Sequence, residues 1–163
     1  MTAASKGAGS AALLGLRLGV SAMAWRSLVL LASLMTLFAI AVGLTERGHS
    51  PLTAPDRTVD ILMSFGVPLG AFTVVGVGLG RARLADVVWP VARHGISRRY
   101  LLLGWVLVVD GVAIMTTVAM TSVGLLAAYG GTPGAFVDIA TSAWITGTAA
   151  AAYVGWFAFG ATF

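Results

Sequence analysis

Four long apolar runs constrain this chain more than any other feature. Residues 27–44 and 61–80 carry no charge, residues 101–129 carry only Asp110, and residues 136–163 carry only Asp138. A helix needs about 20 apolar residues to cross roughly 30 Å of hydrocarbon. Strands are excluded, because four of them cannot close a barrel and an open sheet edge cannot stand in lipid. The runs therefore predict an all-α integral membrane protein with a bundle of four transmembrane helices.

Composition supports a membrane protein and excludes several kinds of site. The chain is 58% hydrophobic and 10% charged, well outside the composition of a soluble domain. It has no cysteine, so it can form neither a disulfide nor a thiolate site. The two histidines, His49 and His94, fall in connections on opposite sides of the predicted membrane, so we expect no metal site. In such a chain the net charge of +4 indicates membrane topology rather than nucleic-acid binding.

The charges of the connections predict the orientation of the chain. Residues 1–26 carry three cations and no acid, residues 45–60 carry two cations and three acids, and residues 81–100 carry five arginines and one acid. The positive-inside rule places the N terminus and residues 81–100 in the cytoplasm. We expect residues 1–26 to form a cytoplasmic or interfacial lead. Residues 27–163 form the membrane domain, which we expect in a bacterial inner (plasma) membrane.

Residues 81–100 form a basic hinge between the second and third predicted spans. Apolar residues recur at helical spacing in it, and the charged residues fall largely on the other face. The apolar positions are Leu84, Val87, Val88 and Val91, and the charged ones include Arg81, Arg83 and Asp86; Arg93, Arg98 and Arg99 follow. Pro90 should kink or end the helix, and Ser97 is placed to cap the next one. The hinge therefore reads as a cytoplasmic amphipathic helix, although a headgroup-bound loop that only sets topology fits the same residues.

The hinge resembles the segment between spans two and three of ABC-2 type transporter permeases. That family shows a Thr-Leu pair, a Pro-[Val/Ile/Leu]-Ser-Arg step and a Leu-Leu-Gly step into span three. Here Arg83-Leu84 stands in place of Thr-Leu, the segment 96–99 (Ile-Ser-Arg-Arg) matches the second step, and the segment 102–104 (Leu-Leu-Gly) matches the third. The resemblance covers roughly residues 27–126.

The resemblance implies the membrane subunit of an ATP-driven exporter, working as a homo- or heterodimer. Its hinge would dock on a separate cytoplasmic ATPase through the eight positions Arg81, Arg83, Leu84, Val87, Val88, Arg93, Arg98 and Arg99. The chain has no GxxxxGK[ST] phosphate loop, so we expect it to use ATP only through that partner and to be no enzyme itself. The family has six spans, and the last run here reaches Phe163 without a polar anchor. Both features favour a chain that continues past Phe163.

Asp110 is the acid inside a predicted span, nine residues and about 13 Å past Leu101. An intramembrane carboxylate is costly and by default suggests function. Its candidate roles are a proton relay, a polar contact to another helix, or a lining residue of a substrate path; a protonated or hydrogen-bonded structural Asp is the plain alternative. Two function classes other than the exporter also fit the sequence. They are a proton-coupled secondary transporter that uses Asp110, and a four-span accessory or scaffold subunit.

Small residues four apart predict close helix packing on two spans. The second span carries Gly66/Gly70 and Gly76/Gly80, and the fourth carries a ridge of small residues: Ala143, Gly147, Ala151 and Gly155. Such ridges let helix backbones approach closely. They fit the inside of the bundle and a dimer seam equally well.

Overall fold

The charge-free runs form long helices. The computed structural model describes residues 3–79, 84–95 and 97–160. In chain order its helices are α1 (Ala3–Ala22), α2 (Trp25–His49), α3 (Ala54–Ile61), α4 (Val67–Leu79), α5 (Leu84–Ala92), α6 (Arg98–Tyr129) and α7 (Ala135–Gly160). A π-helical turn, Leu62–Gly66, joins α3 to α4 without a break. The prediction of an all-helical chain is confirmed for the described residues.

Three helical segments of the described chain have the length and apolarity of a membrane span. They are α2 with 25 residues, the continuous segment Ala54–Leu79 with 26, and α6 with 32. They cover the first three predicted spans except for residue 80, which lies outside the described residues. Helix α7, with 26 residues, is not among these three segments. The chain is thus a multi-pass membrane protein by length and composition.

The connection between α2 and α3 is shorter than the sequence suggested. Residues 45–60 were expected as a loop, but α2 continues to His49 and α3 starts at Ala54. The reason is local: the polar residues after Leu44 tolerate a helix, and Pro51, which has no backbone N–H to donate, follows the C-cap residue Ser50. Pro55 stands in the first turn of α3, where the missing N–H costs nothing.

The π-helical turn lies directly before Pro68. A proline in a regular helix clashes with the carbonyl four residues earlier and removes one hydrogen bond. Here the backbone N–H of Val67 donates to the carbonyl of Leu62, five residues back. The wider turn relieves the steric conflict at Pro68. Residues 54–79 therefore form one continuous helical segment with a local distortion.

Helix α6 is the centre of the bundle, with α1, α2, α4 and α7 packed around it. Helix α2 runs parallel to α6, since Met35 lies at the level of Thr117 and Gly43 lies against Gly124. Helix α4 runs antiparallel, because Gly66 lies beside Met120 and Gly78 beside Val109. Helix α7 turns back along α6 after Gly130, whose positive φ of 65° ends α6 in the left-handed conformation that glycine adopts freely.

Two buried clusters hold the helices to α6. One surrounds Trp105 and Val109 and includes Met23, Val74 and Val154. The other surrounds Met120 and includes residues of α2, the π-helical turn, α4 and α7: Met35, Ala39, Leu62, Val67 and Ala150. In a bilayer the helix contacts depend on close packing rather than on water exclusion. The filled contacts along α6 are therefore what keep the bundle together.

The N-terminal lead is a packed helix. In α1, a Cβ added to Gly15 would overlap the backbone carbonyl of Leu101, and one added to Gly104 would overlap the carbonyl of Ala12. Gly19 faces Val108 and Trp105 at the next turn. Backbone contact of this kind needs glycine on both helices. Helix α1 thus lies against the first turns of α6 and is part of the bundle.

Candidate functional site

The predicted hinge contains the short helix α5, with nine residues from Leu84 to Ala92. Arg81 and Arg83 lie outside the described residues. Leu84, Val87 and Val88 lie on the described backbone of α5, but their side chains lie outside what the structure describes. Pro90 does not end the helix, which continues for two residues beyond it.

The remaining arginines of the hinge lie in the turn after α5 and at the start of α6. Arg93, Arg98 and Arg99 are all exposed. The backbone N–H groups of His94 and Gly95 donate to the carbonyls of Val91 and Ala92, at 3.2 and 3.1 Å. Gly95 has a φ of 83°, which a residue with a side chain rarely adopts. Backbone hydrogen bonds thus define the turn, and the side chains of Arg93 in it and of Arg99 at the start of α6 are exposed.

A cation–π contact fastens α5 to α6. The guanidinium carbon of Arg98 lies 4.0 Å from the centroid of the Trp89 ring. Such a contact contributes roughly 0.5–1 kcal/mol at an exposed site. Ser97 occupies the position before the first turn of α6, as predicted, but its side chain makes no capping hydrogen bond. The contact between Arg98 and Trp89, rather than a cap by Ser97, therefore stabilises the connection between α5 and α6.

Asp110 lies on α6, one residue after the contact of Val109 with Gly78. It is half-buried, and its Oδ1 is shielded from solvent without a hydrogen-bond partner among the described residues. Gly78 is in the last described turn of α4, so Asp110 is level with the end of that helix. The charge-free part of α6 beyond it, residues 111–129, rises about 28 Å, which is close to the hydrocarbon thickness. Asp110 therefore stands near the arginine-rich end of the bundle rather than at its middle.

The opposite end of the bundle carries an acidic cleft that sequence reasoning did not find. Asp56 and Asp60 of α3 line it together with Asp138 of α7, and its volume is about 370 Å³. The hydroxyl of Tyr129 donates a hydrogen bond to the Asp138 carboxylate and joins the end of α6 to the start of α7. No acidic or histidine group in the described part of the chain is arranged to hold a metal ion. A hint in the sequence is that two of these acids, Asp60 and Asp138, stand at the start of an apolar run.

In comparisons with known proteins, no family model, no curated protein and no solved structure matches this chain. The resemblance of the hinge to ABC-2 permeases therefore stays a prediction. Function has to be argued from the geometry of the hinge and of Asp110.

Proposed function

We propose that this chain is a membrane subunit of an ABC-2-like exporter and that the hinge 81–100 couples it to a separate cytoplasmic ATPase. The observation that carries the proposal is the position of α5. It is a short helix between two helices long and apolar enough to span a membrane, and it is fastened to α6 by Arg98 and Trp89. Exposed arginines follow it.

The packing supports a mechanical role for the hinge. A force applied to α5 reaches α6 through the cation–π contact between Trp89 and Arg98. Helix α6 contacts α1, α2, α4 and α7. Packed helices move as units rather than deforming continuously, so a displacement of α6 shifts its neighbours against one another. ATP binding and hydrolysis in the partner would drive such a displacement.

The proposal includes a topology and an assembly. Helix α7, about 39 Å long at 1.5 Å per residue, serves as the fourth span. The N terminus and the hinge lie in the cytoplasm of a bacterium, on the inner face of its plasma membrane, following the positive-inside rule. The subunit works as a dimer, binds no ATP and carries out no chemistry of its own.

An affinity pull-down from detergent-solubilised membranes tests the coupling. The double variant Leu84→Glu/Val88→Glu places charges on the apolar positions of α5, while Leu52→Glu, at a side chain 95% exposed in the opposite connection, is the matched control. We expect a P-loop ATPase to co-purify with the wild type and with the control and to be lost from the double variant. Recovery of integral membrane partners alone, under mild detergent, contradicts the exporter and favours the accessory or scaffold subunit.

Asp110 supports a second candidate, a proton-coupled secondary transporter. Its Oδ1 is shielded and has no hydrogen-bond partner among the described residues, and an intramembrane carboxyl group of this kind can bind and release a proton. The discriminating measurement is transport with Asp110→Asn, made with and without ATP depletion. Loss of transport in the variant, with a wild type insensitive to ATP depletion, favours the secondary transporter. A wild type that stops when ATP is depleted favours the exporter.

A further inference from the structure

A groove opens between α2 and α4 on the outside of the bundle. Leu30 and Leu31 form one wall, and Phe72, Gly76 and Val77 form the other. Its volume is about 540 Å³, within the range of sites that hold small molecules, about 300–1,000 Å³. The walls are almost entirely apolar, so in a membrane the groove faces lipid chains.

Gly76 keeps the groove open. No atom of the described chain lies within 4 Å of a Cβ added there. The neighbouring glycines of α4 behave differently, because Gly70 lies against Met35 and Gly78 lies against Trp105. The glycine pairs were expected inside the bundle or at a dimer seam, and within the described chain Gly76 packs against no helix and faces open space. The groove thus lies beyond the level at which Gly70 meets Met35, toward the start of α2.

Arg26 stands at the polar end of the groove. It lines the groove together with Ser27, and it forms no ion pair with any carboxylate of the described chain. Trp25 beside it is half-exposed, and its indole N–H donates to the carbonyl of Val20 at 3.2 Å. A tryptophan next to an arginine at the end of an apolar helix is typical of the membrane interface.

We propose that this groove binds an anionic phospholipid, with an acyl chain between α2 and α4 and the phosphate at Arg26. A guanidinium recognises a phosphate by paired, charge-assisted hydrogen bonds. A second copy of the chain fits less well, because Asp110 is half-buried on α6 and four of the other five acids lie at the far end of the bundle: Glu46, Asp56, Asp60 and Asp138. In a dimer of parallel copies they could not reach Arg26. The proposal does not depend on coupling to an ATPase.

The test uses the full chain in nanodiscs of equal parts dioleoyl phosphatidylglycerol and dioleoyl phosphatidylcholine. After extraction into detergent, native mass spectrometry measures which lipids stay bound. Gly76→Leu fills the groove, and Gly155→Leu is its matched control, because Gly155 on α7 is also exposed with no neighbour within 4 Å. Arg26→Gln removes the charge and leaves the apolar walls in place.

We expect the wild type and Gly155→Leu to retain phosphatidylglycerol in preference to phosphatidylcholine, and Gly76→Leu to lose both. Arg26→Gln should reduce the preference about five-fold, since one arginine near an anionic lipid contributes about 1 kcal/mol. Full retention by Gly76→Leu, or an unchanged preference in Arg26→Gln, overturns the proposal. A wild-type dimer that Gly76→Leu splits, with bound lipid unchanged, also overturns it and makes the groove a dimer seam.

Discussion

The contact between α1 and α6 predicts a large difference between two glycine substitutions on one helix. Gly104 and Gly111 both lie in α6. A Cβ at Gly104 would come within 2.7 Å of the backbone nitrogen of Leu16 and 2.8 Å of the carbonyl carbon of Gly15. A Cβ at Gly111 would meet no atom within 4 Å. The atoms that face Gly104 belong to the backbone and cannot rotate away.

The magnitude follows from comparing Gly104→Ala with Gly111→Ala. Both substitutions gain the same helix propensity, about 1 kcal/mol, so their difference isolates the steric effect. Ordinary carbon contacts lie about 3.5–4.0 Å apart, so α1 must move outward by roughly 1 Å. Overpacking of this kind costs about 1–3 kcal/mol. We expect Gly111→Ala to be the more stable variant by that amount.

The assay is equilibrium unfolding in mixed dodecyl maltoside and dodecyl sulfate micelles, followed by far-ultraviolet circular dichroism. Gly104→Ala should also release α1, which limited proteolysis would detect as faster cleavage before residue 22. Equal unfolding free energies for the two variants, within about 0.5 kcal/mol, would refute the packing of α1 on α6, since surface substitutions away from such contacts stay within that range.

Three further predictions test single contacts. Tyr129→Phe removes the hydrogen bond to Asp138 and should lower the unfolding free energy by about 1 kcal/mol; no change in the micelle titration would show that the bond contributes nothing. Trp89→Leu removes the cation–π contact with Arg98, and amide hydrogen exchange in the turn between α5 and α6 should become faster; unchanged exchange contradicts the role of this contact. Asp110→Leu removes a carboxylate whose shielded Oδ1 has no hydrogen-bond partner among the described residues, and it should raise the unfolding free energy by about 1–3 kcal/mol; a loss of stability would reveal a partner for it.

The sequence predicts the helices better than it predicts their faces. The charge-free runs identify α2, the segment Ala54–Leu79 and α6, because a helix in lipid must satisfy its backbone internally and excludes charges from its middle. The ends are less well predicted, since α2 extends past Leu44 through residues that are polar but still helix-forming. Hydropathy also gives no reason for the π-helical turn before Pro68.

Contacts between distant residues could not be predicted from one sequence. Gly66 and Gly76 belong to similar glycine pairs, yet Gly66 packs on Met120 and Gly76 faces an open groove. The pattern is the same, and only the position of the neighbouring helix decides the role. The packing of Gly15 on Leu101 is equally invisible, because Arg17 interrupts the apolar pattern of α1 and suggests an interfacial lead. The pairing of Tyr129 with Asp138 depends on how α7 turns back after Gly130.

The most direct test of the account is the accessibility of single cysteines to a membrane-impermeant maleimide in intact cells. The chain has no native cysteine, so each label reports one position. We predict that Leu52→Cys and Thr132→Cys are labelled from outside, whereas Ser97→Cys and Gly160→Cys are labelled only after the membrane is permeabilised. Labelling of Ser97→Cys in intact cells would place the hinge outside, where no cytoplasmic ATPase could reach it, and would contradict the account.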